Sequence, residues 1–163
     1  MKIYKEAEDK ARQAKLGLFS TQEKPVAKFI DLTQSKTNIS KIKQFYSFNS
    51  SEKRIPGVVD LVLNGSRFKI RLTNQQTYII FTLHGVRCLP NDSNVKTSAE
   101  ISQKALLYSK ENLLQRDVEL EFDSVDTIGA ICGSLTLNKK NYALNLIENG
   151  FAYVAKGGPK VIR

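Results

Sequence analysis

Apolar and polar positions alternate most cleanly between residues 57 and 86. In RFKIRL (67–72), Phe68, Ile70 and Leu72 share one side and Arg67, Lys69 and Arg71 the other. That two-residue period predicts a half-buried strand. VVDLVL (58–63) precedes it, with Asn64-Gly65 between the two runs, the strongest short-range signal for a hairpin. TYIIFTLHGV (77–86) is more apolar and predicts a third, more buried strand. DVELEFD (117–123) alternates again, with Val118, Leu120 and Phe122 inward and acids outward. AICGSLTL (130–137) predicts a further strand, and residues 138–140 a turn.

Other stretches repeat at helical spacing. Residues 2–16 carry Ala7, Ala11, Ala14 and Leu16 among charges, and Gly17 stands where a glycine stop belongs. Leu18 and Phe19 then read as an apolar plug. Residues 20–56 are irregular and polar, with Ile39 to Phe48 able to form a short helical piece. Their composition leaves both a linker and a wrapped arm open. A polar loop spans 88–98. Residues 99–114 form a helix whose stripe is Ile101, Ala105, Tyr108 and Leu113, with Leu106 beside it. A short helix over 143–149 ends at Gly150, and 151–154 closes the fold as a strand or plug. The order β-β-β-α-β-β-α fits a small closed barrel such as an OB fold carrying helices, in the class mainly β with α. The expected units are an N-terminal helix (1–20), an arm (21–55), a barrel domain (56–156) and an unstructured tail (157–163).

Composition narrows the function classes. With 163 residues, 41% hydrophobic and 25% charged, the chain has the make-up of an ordinary globular domain. No run approaches the roughly 20 apolar residues of a membrane span. The N-terminus is charged from the outset and does not read as a secretory signal. Cys88 and Cys132 are too few for a disulfide framework or a zinc site and are expected to be reduced thiols. That suits a cytoplasmic protein that also enters the nucleus. The net charge of +9 favours polyanionic partners. It is unevenly spread: residues 1–71 hold 15 Lys/Arg against 7 Asp/Glu, whereas residues 92–126 hold 4 against 8. One basic side and one acidic side are expected.

Three segments carry a resemblance to a known family. SAEISQKALLYSKENLLQRDVELEF (98–122), GAICGSLTL (129–137) and NYALNLIENGFAYV (141–154) resemble three units of the staphylococcal nuclease-like (SN) domain. These are its helix-plus-strand, its glycine-bracketed strand and its closing segment. YKEAEDKARQAKLGLFS (4–20) resembles the terminal helix of a preceding SN repeat. The stretch through IKQFYSF and IPGVVDLVLNGSRFKIRL is similar to the join between the third and fourth SN repeats of the Tudor-SN family. The resemblance implies an OB-type five-stranded barrel with helices. The start within one repeat and the missing long terminal helix make the chain read as a segment of a longer protein. Residues 2–20 are accordingly expected to dock on a barrel, either their own or, by exchange in a helix-swapped dimer, that of a second copy.

An active SN nuclease needs carboxylates for a calcium ion, a carboxylate to activate water, and two arginines on the phosphate. By the resemblance, these positions fall on Ser66 (first metal aspartate), Thr82 (first arginine) and Arg87 (second metal aspartate). They continue on Cys88 (the neighbouring threonine), Pro90 (the glutamate) and Ala130 (second arginine). All depart from the catalytic pattern, so no catalytic residue, metal or cofactor is expected. Other chemistry is weakly signalled. His84 is the only histidine and has no carboxylate or nucleophile near it in sequence. Cys88 follows a cation but lacks a base. Asp123 and Asp126 read as a solvated acidic edge.

What remains is binding. Arg67, Lys69 and Arg71 recur about every 6.6 Å on one strand face, a spacing comparable to phosphates along an extended backbone. Lys41, Lys43, Lys53 and Arg54 could extend the track, and Phe45, Tyr46, Phe48 and Tyr78 could stack bases. The leading expectation is a non-catalytic, sequence-independent RNA-binding module for single- or double-stranded RNA. The alternative is a protein-interaction module in a transcription-coactivator or RNA-silencing scaffold. A calcium-dependent nuclease is the weakest of the three.

Overall fold

The computed structural model describes residues 2–20, 28–33, 35–90 and 96–155. The expected tail over 157–163 lies outside them. Helix α1 (Lys2–Gln13) opens the chain and a single 3-10 turn (Gly17–Phe19) follows. Next come strand β1 (Ile30–Asp31) and helix α2 (Ser35–Asn49). The barrel strands are β2 (Ile55–Asn64), β3 (Arg67–Leu72), β4 (Thr77–Leu83), β6 (Asp117–Val125) and β7 (Ile131–Leu137). The two-residue strands β5 (Val86–Arg87), β8 (Lys140–Asn141) and β9 (Tyr153–Val154) complete the sheets, with helices α3 (Lys96–Leu113) and α4 (Tyr142–Glu148).

The five long strands run in the order β4-β3-β2-β6-β7, and a parallel pairing of β4 with β7 closes the ring. Alternation places the core as expected. Phe68, Ile70 and Leu72 of β3 are fully buried, as are Ile79 and Phe81 of β4, Leu120 of β6, and Ile131 and Leu135 of β7. Gly133 makes the closure possible. A Cβ there would lie 1.8 Å from the Glu121 carbonyl oxygen, so β6 and β7 cross where no side chain fits. The Gly133 carbonyl also accepts from the His84 amide at 2.9 Å, fastening the end of β4.

The β2–β3 hairpin is present but its turn is shifted. Asn64 still pairs with Arg67, so the loop is Gly65-Ser66 rather than Asn64-Gly65. The Asn64 side chain accepts the Ser66 amide at 2.9 Å. Gly65 is needed for space rather than for a left-handed backbone: a Cβ would meet the Cys88 sulfur at 2.7 Å and the Ala105 Cβ at 3.0 Å. Helix α3 explains that crowding. Its most buried face is Ser102, Ala105, Ser109 and Leu113, so two serines stand on a face read from sequence as apolar. Ser109 donates to the Gly65 carbonyl at 2.9 Å and accepts from the Tyr142 hydroxyl at 3.1 Å, and Tyr142 meets Phe68 edge-on.

The helical piece read over Ile39 to Phe48 is present and longer: the arm contains a 15-residue helix, α2, packed against β6. Ile42 is buried, Phe45 lies on Phe122, and the Tyr46 hydroxyl donates to the Asp123 carbonyl. Asn49 is bonded to Gln75 in the β3–β4 turn. So α2 and α3 hold opposite ends of β3. The expected plug at Leu18 and Phe19 is not one: Leu18 is 97% exposed, and Phe19 receives the Arg12 guanidinium on its ring. No residue of α1 is buried, so among the described residues this helix does not dock on its own barrel.

Replacing Gly133 with alanine forces a Cβ into backbone, which cannot move aside as a side chain would. The expected loss is about 3 kcal/mol, the upper end for overpacking, read as a fall in the urea midpoint at unchanged m-value.

Candidate nucleic-acid interface

At the hairpin end of β3 the sheet opens into a surface pocket of about 320 Å³. Ser66, Thr82 and Arg87 line it, together with Gly85, Asp126 and Cys132. Local geometry builds its walls. Gly85 turns the chain with φ +75°, and β5 then pairs antiparallel with β9, setting Arg87 opposite Tyr153. The strand register puts Arg67 beside Thr82 and Thr82 beside Cys132. The buried Arg67 Nε and Thr82 Oγ1 atoms have no protein partner.

Three of the six positions matched to the nuclease motif thus share one pocket. The other three do not line it. Cys88 lies behind the hairpin glycine, against Gly65. Pro90 is an exposed loop residue. Ala130 is fully buried, its amide bonded at 2.7 Å to Asp126.

Asp126 is the pocket's carboxylate, and it is structurally engaged. Its Oδ1 accepts the amides of Ile128 and Ala130 at 2.9 and 2.7 Å, capping the turn before β7. The acidic edge read from sequence therefore divides: Asp126 holds a turn, and Asp123 meets His84 Nδ1 at 3.0 Å. That partner lies 39 residues away, so the absence of a carboxylate near His84 in sequence did not reveal it. Both thiols are held protonated. Burial pushes Cys132 up to about 11, with Asp126 adding to it, and burial raises Cys88 as well.

The basic stripe runs from the pocket along β3. Arg67, Lys69 and Arg71 do share the outer face, but all three are half-buried, not fully solvated as the alternation alone suggests. Lys69 is engaged. Its Nζ lies 4.7 Å from the Tyr78 ring centroid and 3.7 Å from the Asp31 carboxylate. Asp31 sits below the ordinary carboxylate range, chiefly because the Thr33 hydroxyl bonds it, with the Thr33 amide and Lys69 acting in the same direction. Short-range sequence patterns miss this contact, since β1 is two residues long and arrives from outside the barrel sequence.

The arm cations stand on helix α2 and in the link that follows it, not on β3. Helix α2 packs on the strand carrying the acidic face, where Asp117, Glu119, Glu121 and Asp123 are exposed. Lys41 is exposed and Lys43 half-buried on that helix. Lys53 is exposed, and Arg54 approaches Glu119 at 3.8 Å. Of the four candidate stacking aromatics, Phe45 and Tyr46 are tied to Phe122 and Asp123. Phe48 is 74% exposed, and Tyr78 lies in the stripe.

A family model described as "Staphylococcal nuclease homologue" matches residues 80–161, half of the chain. The chain belongs to this family. The SN domain is similar to Ribonuclease TUDOR 1 of Arabidopsis thaliana, 36% identical over 146 residues, which is 90% of this chain and 14% of that protein. It is also similar to Ribonuclease TUDOR 2 of the same plant, 31% identical over 93% of the chain and 15% of the relative. Staphylococcal nuclease domain-containing protein 1 of Schizosaccharomyces pombe is 26% identical over 91% of the chain and 17% of the relative. These matches make it an SN domain of the Tudor-SN type, spanning about one seventh of the first relatives' length.

The calcium ion of an active SN nuclease does not fit the residues of this pocket. Calcium takes six to eight oxygen ligands, mostly carboxylate and carbonyl. Here the Asp126 carboxylate is bound to backbone amides and the Arg87 guanidinium stands in the same pocket. Among the described residues no three His, Cys, Asp or Glu side chains are grouped to hold a metal.

The raised thiol and phenol values set an alkaline limit on the SN domain's stability. Above pH 9.0 the unfolded chain releases the Cys132 proton, whereas the folded chain holds it until about 11. Tyr142 behaves likewise between 10.0 and about 12. This stabilisation is complete below pH 9 and is lost as pH rises through those folded values. Urea midpoints should fall between pH 9 and 11, and Cys132→Ala should flatten the decline. A wild-type midpoint independent of pH would contradict the assignment.

Proposed function

We propose that the SN domain is a non-catalytic module that holds RNA by its phosphate backbone, without reading sequence. One observation carries the reading. Three cations stand on successive outer positions of β3, and the strand leads into a pocket that presents Arg87 where the family's catalytic pattern has a metal aspartate. A guanidinium can pair a phosphate directly, but it cannot activate water or organise a cation. The relatives named ribonucleases are about six times as long as this chain, which leaves room for their nuclease activity outside the aligned segment.

A protein-interaction role in the same scaffold, in transcription or RNA-silencing complexes, is the second reading. Exposed Leu61 and Leu63 on β2 favour it, because they border the stripe and phosphates have no use for them.

Fluorescence anisotropy of labelled single- and double-stranded RNA, at low and high salt, separates the two. Micromolar binding that weakens steeply with salt is expected, because phosphate contacts release counterions. Arg71→Ala should lower affinity for every sequence alike and reduce the salt slope by about one. The RNA should stay intact on a gel with calcium present. Calcium-dependent shortening would end the non-catalytic reading, and no binding at low salt would favour the protein-interaction one.

A further inference from the structure

On the outer face of the sheet, Tyr78 and Lys69 place a ring and a cation side by side. Strand β1 runs along the edge of β4 and sets a ring and an anion of its own on this pair. Phe29 packs on Tyr78 with centroids 5.4 Å apart and planes tilted by 46°. The Asp31 carboxylate stands 3.7 Å from the Lys69 ammonium. Phe29 and Asp31 are alternate residues of an extended segment, so both project to the outer face about 6.6 Å apart. Ile30, in register with the inward-facing Thr77, points the other way. A flat ring and an anion at that separation present the chemistry of one nucleotide: a base to stack and a phosphate to pair.

We infer that Tyr78 and Lys69 form a base-and-phosphate subsite for single-stranded RNA, and that Phe29 and Asp31 occupy it as an internal stand-in that RNA displaces. The inference rests on the RNA-backbone reading above and adds to it a located subsite and its regulation. The strap is held lightly at Phe29 and Ile30 and more firmly at Leu32, whose side chain is buried. Beside the parallel ladder with β4, the Ile30 amide bonds the Gln76 carbonyl at 2.9 Å and the Leu32 amide bonds the Tyr78 carbonyl at 3.0 Å. Phe29 and Ile30 remain 42% and 59% exposed. The Asp31–Lys69 pair lies at the surface, where water and salt weaken it. Thr33, bonding the Asp31 carboxylate through its amide at 2.8 Å, keeps the anion facing Lys69 while the strap is seated.

The experiment uses the full chain and a labelled oligouridine. Asp31→Asn should tighten binding about two- to fivefold, the range of a surface ion pair, and steepen the salt slope by about one as Lys69 becomes free for phosphate. Phe29→Ala/Asp31→Ala should tighten it further, and Tyr78→Leu should weaken it at unchanged salt slope. Thermal melts control for folding, since none of these side chains lies in the buried core. In wild type, RNA should speed hydrogen exchange at the Ile30 and Leu32 amides. If those amides keep their protection and Asp31→Asn binds like wild type while Arg71→Ala binds more weakly, the strap idea is wrong and the RNA reading stands. If Arg71→Ala changes nothing, or neither wild type nor the double variant binds, the RNA reading falls and the strap idea with it.

Discussion

The barrel depends on one approach of backbone to backbone. Strand β7 must lie antiparallel to β6 and parallel to β4 at once, and it does both around Gly133. A side chain there would overlap the Glu121 carbonyl. With the ring closed, Phe81 and Ile131 become core neighbours, β3 is held at both ends by helices, and its outer face is fixed in direction. The basic face is thus a by-product of core alternation: the register that buries Phe68, Ile70 and Leu72 also lines up Arg67, Lys69 and Arg71.

Much of this was legible from period alone. The five barrel strands, the two helices behind them and the inward residues of β3 and β6 follow from spacing, because burial on one face imposes it. The helix α3 stripe was legible in direction but not in content. Ser102 and Ser109 sit on its buried face, and no hydropathy pattern places a serine inside. Ser109 is there because the Gly65 carbonyl and the Tyr142 hydroxyl, 44 and 33 residues away, both bond it. The hairpin was legible and its turn was not, since Asn64 remains in the ladder and Gly65 serves a contact with Cys88 that lies outside any local window.

The candidate site divides in the same way. Ser66, Thr82 and Arg87, singled out by motif, line one pocket because each hangs near a strand end that the barrel gathers at one rim. It could not reveal what engages the remaining charges. Lys69 meets Asp31, His84 meets Asp123, and Asp126 caps a turn, each through partners set by tertiary folding. The arm cations were grouped with the stripe by charge alone, whereas Lys41 and Lys43 stand on α2, which packs on the inward-facing Phe122 of β6.

The closing pair also shapes how the domain comes into being. Phe81 and Ile131 meet across about fifty residues of chain, so the ring cannot seal until both distant stretches exist. Bringing them together costs loop-closure entropy before any contact repays it. During synthesis the first three barrel strands emerge as an open, curled meander whose fourth and fifth members are still missing. Until β7 leaves the ribosome, the edge of β4 that will receive it stays unpaired, and an exposed strand edge invites the wrong neighbour. The short strand that lies on the other half of that edge, β1, precedes β4 in the chain, and so can cover part of it before the barrel is whole.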